Sequence, residues 1–513
     1  MGEKTSEGGM QGKKMAEKSW KESKKMWEIA VPAILTAVTQ FSISFVTSAF
    51  AGHLGTAELA AVSIVQTVIE AFVFGITLGM GSALETLCGQ AVGAGQVNML
   101  GIYLQRSFVI TGVTALVLTP VYVFTSPLLK LLRQNKKISE LAGKYSMWVI
   151  PQLFAYAFNS PIQKFLQAQS KIWVMTVISM VALGLHVFLN WVLVIKLGHG
   201  LVGAAIAGNM SWWFVVLAQM VYVVSGFFPD AWTGYSLLAF KSLAGFLKLS
   251  LASAVMLWLV QSCSSNLGRN HFEDFIIITA LLCFCGSLEL WYYTVVILMV
   301  GRIRNPEIAV DAISICMNLQ LWTLMITLGF NAAVSVRVSN ELGAGHPNAA
   351  KFSAVVAIIT SAVFGIVFTA ALLAANSYFP KIFTGKDELI KETSKLGYFL
   401  AVTIFLNSVQ PVLHGVAVGA GWQSLVALIN SACYYIFGIP VGALLGYKFD
   451  LGVRGIWSGM LAGCLLQTVI LFIIMFRTNW SKEAMQAEER VHTWAGSLEA
   501  RTEKEERILN MTP

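Results

Sequence analysis

Charge is scarce in this chain. Asp, Glu, Lys and Arg make up 12% of its 513 residues, where a soluble domain carries about a quarter. That deficit excludes an ordinary water-soluble globule. Cysteine is sparse and scattered, at Cys88, Cys263, Cys283, Cys285, Cys316, Cys433 and Cys464. Most of these sit inside apolar stretches, so neither a disulfide framework nor a zinc site is indicated. The short motifs of catalysis are missing as well: HExxH, GxSxG, DxD and a phosphate-binding loop do not occur, which argues against an enzyme, a membrane-embedded transferase included. The net charge of +8 lies mainly in tails and loops. It forms no basic stripe interleaved with aromatics, the pattern that nucleic-acid binding requires.

What the chain has is apolar sequence in long blocks. Apolar residues are 56% of the total and the mean hydropathy is +0.68. Ala309–Val336 is interrupted only by Asp311 and a few uncharged polar residues. About 20 such residues cross a bilayer as one helix, and the ~10-residue alternation of a β-barrel strand is not seen. The blocks predict spans near 27–51, 60–86, 101–125, 142–165, 172–195 and 201–225, then 275–300, 309–336, 352–376, 392–416, 423–447 and 453–477. The expectation is an all-α, multi-pass membrane protein of twelve helices with both tails, 1–26 and 478–513, on one side. Lys13, Lys14, Lys18, Lys21, Lys24 and Lys25, with Lys164, Lys171, Lys241, Lys248, Arg337 and Lys351, make that side the cytoplasm. Lys130, Arg133, Lys136 and Lys137 fall on the other face and run against the rule. The polar N-terminus shows no secretory signal, so the first helix is expected to direct its own insertion.

The sequence also repeats itself. Gly79–Gln96 reads GMGSALETLCGQAVGAGQ and Gly329–His346 reads GFNAAVSVRVSNELGAGH. Gly79, Ala83, Gly93, Ala94 and Gly95 recur as Gly329, Ala333, Gly343, Ala344 and Gly345, and Gly200 and Gly203 as Gly452 and Gly455. Six spans per repeat is an even number, which predicts parallel lobes over 27–225 and 275–477. Transporters of this plan place the substrate cavity between the halves. Gly93, Gly95, Gly343 and Gly345 read as tight helix ends and as hinges of a cytoplasmic gate.

Several segments carry a family likeness. SALETLCGQAVGAGQ (Ser82–Gln96), RVSNELGAGHP (Arg337–Pro347), AGHLGTAELA (Ala51–Ala60), LELWYY (Leu288–Tyr293) and GVAVGAGWQ (Gly415–Gln423) resemble signatures of the plant DETOXIFICATION branch of the MATE (multidrug and toxic compound extrusion) transporters. The resemblance implies a twelve-helix, two-lobe, V-shaped fold and the export of organic solutes against protons. Asn407–Pro411 followed by Gly415–Gln423 resembles the subgroup of vacuolar flavonoid-type carriers. The implied partners are small organic solutes, protons and the lipid bilayer, with no cofactor beyond the proton as coupling ion, no metal and a monomeric chain. Some plant relatives carry anions or organic acids such as chloride, malate or citrate, which is the competing expectation.

Carboxylates inside a membrane are functional candidates by default. Glu289, in the span 275–300 between Leu288 and Leu290, is the first of them. The resemblance makes it the proton-coupling residue. Many relatives carry an aspartate in the tenth span; here Asn407 stands there, which implies a one-carboxylate mechanism. Glu70 is expected to line a cavity of the first lobe or to pair with Gln66. Glu85, near the helix end, fits a structural network. Gln40, Tyr293, Asn318, Trp322 and His414 are further candidates for a solute surface, where aromatic walls and a few polar groups suit planar solutes.

One stretch does not fit. In the family pattern Ser250–Leu257 runs almost directly into Leu288–Gly301, whereas here Trp258–Ser287 intervenes. Its Leu, Phe and Cys codons are pyrimidine-rich, as at the 3′ end of an unspliced intron, so a retained intron or a gene-model error is expected. If Leu243–Val260 and 275–300 both crossed, the second half would invert.

Overall fold

The computed structural model describes residues 2–131, 134–236, 295–296, 299–300 and 306–492, which are helical with no strand among them. The first half comprises α1 (Gly2–Leu54), α2 (Thr56–Ile64), a π-helical turn Val65–Glu70, α3 (Ala71–Gly93), α4 (Leu100–Val123), α5 (Thr125–Leu131), α6 (Lys136–Ala168), α7 (Ile172–Asn190) and α8 (Gly200–Val224). The second half comprises α9 (Pro306–Gly343), α10 (Pro347–Ala374), α11 (Asp387–Ala420), α12 (Gln423–Ser431), α13 (Ile439–Ala443) and α14 (Gly452–Arg477). Residues 480–492 form a closing helix.

Among the described residues ten helical stretches are long and apolar enough to cross a membrane. At 33 residues α6 is also long enough, but lysines at 136, 137, 144 and 164 make it less apolar. The predicted span 275–300 lies almost wholly outside the described residues, and the stretch Trp258–Ser287 lies wholly outside them. Two spans are longer than expected. The second runs from Thr56 to Gly93 through the π-turn, and the first helix begins at Gly2, so the polar N-terminal flank continues α1.

Local chemistry sets the ends. Asn135 caps α6 by accepting from the Lys137 amide at 2.9 Å. Pro347 opens α10, where its missing N–H costs nothing. Asp387 and Glu388 occupy the first turn of α11 and complement its dipole.

The repeat is visible as geometry. Gly200 and Gly452 start α8 and α14 with φ of 56° and 58°. The second glycine of each pair, Gly203 or Gly455, then packs against a carbonyl of the π-turn before it, that of Leu193 in Trp191–Lys196 or of Leu445 in Leu444–Lys448. Packing divides into two clusters. One, with Met26, Leu84, Phe330, Ala333 and Leu413, joins both halves. The other lies within the first half, where Val65, Ile69 and Val73 meet Tyr122 of α4 and Tyr145, Val149 and Leu153 of α6. Outward faces stay apolar: Ile359, Val363 and Ile366 on α10, and Leu465, Val469 and Ile473 on α14, are exposed at helical spacing. Lipid, not water, suits such stripes.

Candidate functional site: the seam between the halves

The two repeat turns close in the same way. The amides of Ala94, Gly95 and Gln96 donate to the carbonyls of Gln90, Val92 and Ala91 at 2.9, 3.1 and 2.9 Å. Those of Ala344, Gly345 and His346 donate to Asn340, Leu342 and Glu341 at 3.0, 3.1 and 2.8 Å. Gly95 and Gly345 take φ of 75° and 71°, the left-handed conformation that glycine reaches without strain.

These turns bring α3 and α9 against each other. A Cβ on Gly93 would lie 2.0 Å from the Asn340 carbonyl oxygen, and one on Gly343 would lie 2.1 Å from that of Gln90. One turn earlier, Gly89 faces the Ser339 side chain. The end of α11 joins the same seam. Thr86 Oγ1 donates to the Val418 carbonyl at 2.5 Å, Gln90 Nε2 to that of Gly419 at 3.3 Å, and Gln423 Nε2 to Thr86 Oγ1 at 2.5 Å.

Ion pairs fasten the seam at the same end. Arg337 on α9 donates through Nε to Glu22 Oε1 at 2.8 Å and through a terminal nitrogen to Glu22 Oε2 at 3.2 Å. It also reaches Glu341 Oε1 at 2.6 Å, and Ser353 Oγ donates to Glu22 at 2.6 Å. The N-terminal extension of α1 is thereby tied to α9 and α10. The closing helix ties down α11: Arg490 donates to the Ala420 carbonyl at 3.1 Å, and Trp422 Nε1 donates to Glu483 at 3.0 Å.

Farther along, α1 and α9 stay in contact. Trp27 meets Phe330 edge-on with ring centroids 5.0 Å apart, and Phe41 meets Trp322 at 5.7 Å. Gly329 packs on Ile34 and the Ala30 carbonyl. Asn331 Nδ2 donates to the Pro411 carbonyl at 2.7 Å, linking α9 to α11.

The sequence-predicted candidates are dispersed. Glu289 and Tyr293 lie outside the described residues. Gln40 donates to Ser179 Oγ at 3.3 Å within the first half. Trp322 stands at the contact with α1 and is half exposed. Asn318 is exposed and bonded to its own helix at the Ser314 carbonyl. Asn407 is buried in α11. Glu70 is buried in the first half, but Gln66 does not pair with it: Gln66 accepts from Ser48 Oγ at 2.7 Å and donates to the Ser44 carbonyl at 3.2 Å. Glu85 pairs with Lys164 of α6 at 2.6 Å.

His414 belongs to a polar cluster that sequence reasoning missed. Its Nε2 lies 2.6 Å from Gln467 Nε2. Gln467 Nε2 donates to Asn430 Oδ1 at 2.5 Å, and Gln410 donates to both Gln467 at 2.9 Å and the Tyr434 hydroxyl. The signal was available: Gln410 and His414 are four residues apart and share one face of α11. His186 is held by Thr47 and Ser211, each at 3.0 Å, in a structural network.

Two repeated helical halves, joined across a seam at one end and set with polar groups along it, define a membrane transporter of the internally duplicated kind. The chain belongs to the MatE family, whose model matches it twice, over residues 32–192 and 282–444. Protein DETOXIFICATION 33 of Arabidopsis thaliana is 52% identical over 493 residues, covering 95% of this chain and 96% of that one. Protein DETOXIFICATION 30 of the same plant is also 52% identical, over 477 residues that cover 93% and 90%. The crystal structure of the eukaryotic MATE transporter AtDTX14 superposes with a TM-score of 0.82 at 30% identity, covering 92% of this chain and 99% of that one. The Vibrio cholerae MATE transporter VcmN, in its bent form, shares the fold at 17% identity, with a TM-score of 0.73 and coverage of 93% and 99%. The chain is thus a multi-pass membrane transporter of this family and not an enzyme.

Proposed function

We propose that the chain is a proton-coupled antiporter that exports or sequesters organic solutes such as flavonoids, alkaloids or xenobiotics. It works by alternating access in the vacuolar membrane, as a monomer, with the proton as its only coupling ion. The observation that supports this most is the seam. The ends of α3 and α9 meet backbone to backbone, at the end where Arg337 holds Glu22. In this reading the lobes, 27–225 and 275–477, are closed on the cytoplasmic side. Rocking them apart at Gly93 and Gly343 opens a path to the cytoplasm. Glu289 carries the coupling proton.

Transport of berberine, a fluorescent alkaloid, into proteoliposomes tests the reading. An imposed inside-acid pH gradient is expected to drive accumulation, and Glu289→Gln to abolish it. Accumulation that ignores the pH gradient, or full activity in Glu289→Gln, overturns proton coupling at this residue. Chloride or malate flux that follows voltage alone favours the anion-carrying alternative.

A further inference from the structure

Glu70 closes the π-helical turn Val65–Glu70, the only departure from α-geometry in the second span. Short π-turns inside α-helices often mark functional sites. This one packs Val65 and Ile69 into the first-half core beside Tyr122 of α4 and Tyr145 of α6, both buried. Glu70 itself is 6% exposed, and its Oε1 has no hydrogen-bond partner among the described residues. The Tyr122 hydroxyl is likewise buried without a partner among them.

The surroundings supply no counter-charge. Among the described residues, the titratable groups within electrostatic reach of Glu70 are Tyr122 on α4 and Tyr145 and Tyr156 on α6. On the α1 side the nearest polar groups of the turn are taken, since Gln66 is bonded to Ser48 and to Ser44. Among the described residues no lysine, arginine or histidine pairs with Glu70. Glu85, farther along the same span, contrasts with it, because Lys164 lies 2.6 Å away. A carboxylate buried without a cation is too costly to persist as a bare charge. It needs a neutralising partner, and intramembrane acids of this kind mark proton or ion paths. A metal ion is not provided for: no cluster of His, Cys, Asp and Glu that could hold one occurs among the described residues. A proton needs no such cluster and fits a carboxylate whose turn packs beside Tyr122 and Tyr145.

We infer that Glu70 is a second proton-carrying site, lodged in the first half and distinct from the coupling residue proposed for the second. The carboxylate takes a proton from the acidic compartment, becomes a carboxylic acid, and returns that proton on the other side when the lobes change position. Tyr122, Tyr145 and Tyr156 are the phenols within electrostatic reach of the acid. This inference rests on the proton-antiport reading and extends it from one proton site to two.

The test uses the full chain in lipid. Dicyclohexylcarbodiimide attacks protonated carboxyl groups in apolar surroundings, and mass spectrometry locates the adduct. Glu70 is expected to be labelled at acidic pH, progressively less as the pH rises, and not at all in Glu70→Gln. No adduct at any pH, or labelling that ignores pH, overturns the proposal without any need for a transported solute. In proteoliposomes, the protons moved per berberine are expected to fall by about one in Glu70→Gln and to return in Glu70→Asp. An unchanged ratio in Glu70→Gln sinks the Glu70 site alone. A wild-type chain that moves berberine without protons sinks the antiport reading instead.

Discussion

Gly93 and Gly343 occupy equivalent places in the two repeats and lie against each other's helices. A Cβ on Gly93 would meet the Asn340 carbonyl at 2.0 Å, and one on Gly343 would meet the Gln90 carbonyl at 2.1 Å. Both obstacles are backbone atoms, which cannot swing aside as a side chain can. Gly343→Ala should therefore force α3 and α9 apart at a cost of about 1–3 kcal/mol. Labelling of Ser339→Cys by a maleimide reports the change, since Ser339 is buried against Gly89. We expect labelling to accelerate about tenfold or more, about 1.4 kcal/mol per tenfold. Gly345→Ala is the control. It strains a turn at φ 71° but meets nothing within 4 Å, so it should destabilise the turn without opening the seam. Equal labelling in the Gly343→Ala and unmodified backgrounds would show that the contact does not hold the halves.

The Glu22–Arg337 pair should act as a latch on the same seam. Both side chains are largely buried, at 12% and 14% exposure. Removing one partner of such a pair costs about 3–5 kcal/mol, because the other charge is left stranded. Here Glu341 stays beside Arg337 at 2.6 Å, which should hold the loss in Glu22→Gln toward the low end. Arg337→Ala strands both acids and should be the more severe. Ser339→Cys labelling, with a double-mutant cycle over Glu22→Gln and Arg337→Ala, measures the coupling. A coupling energy near zero would mean that the pair is incidental to closure.

Glu85 and Lys164 form a buried pair within the first half, at 7% and 13% exposure. Glu85→Gln alone should lower thermal stability in detergent by about 3–5 kcal/mol, because Lys164 keeps its charge. The double change Glu85→Gln with Lys164→Met removes both charges and should recover much of the loss. If the double variant melts as early as the single one, the two residues are not a pair in solution. Glu85 then becomes a candidate for the transport path.

Sequence reasoning found the architecture because membrane crossing and duplication leave long, redundant signals. A block such as Ala309–Val336 announces a helix whatever its neighbours do. Gly93 and Gly343 were readable as turn glycines, yet their mutual contact was not, because a spacing of 250 residues says nothing about which surfaces meet. Arg337 was read as a sidedness marker and as the first residue of a family motif, not as an ion-pair partner. Its role in the seam depends on α1 continuing as helix back through Glu22, into a flank whose mixed charge gave no sign of tertiary packing. The expected link between Glu70 and Gln66 failed for a related reason. The residues are four apart, as helix neighbours should be, but Gln66 finds its partners across the helix contact, at Ser48 and the Ser44 carbonyl of α1. The polar cluster around Gln467 was missed because its members come from separate elements: α11, α12, the π-helical segment Ala432–Gly438 and α14.

The seam also constrains the stretch of sequence that fits the family least well. The chain after α8 returns to the end where α4 begins: the Ala231 carbonyl faces Gly101, and Gln105 donates to the Gly234 carbonyl at 2.9 Å. That is the end at which α3 finishes, and Gly343 of α9 finishes there too. A helix that finishes at this end must start at the other. We therefore predict one net crossing between α8 and α9, made by one of Leu243–Val260 and 275–300 and not by both. Trp258–Ser287 should then add no net crossing, and a chain with Leu257 joined to Leu288 should insert with unchanged sidedness. Protease protection of a tag placed after Pro513 reads this directly. An inverted tag in the shortened chain would show that the extra stretch contributes a crossing of its own. Sequencing of the spliced transcript gives an independent check, since a retained intron predicts that the mature message lacks these codons.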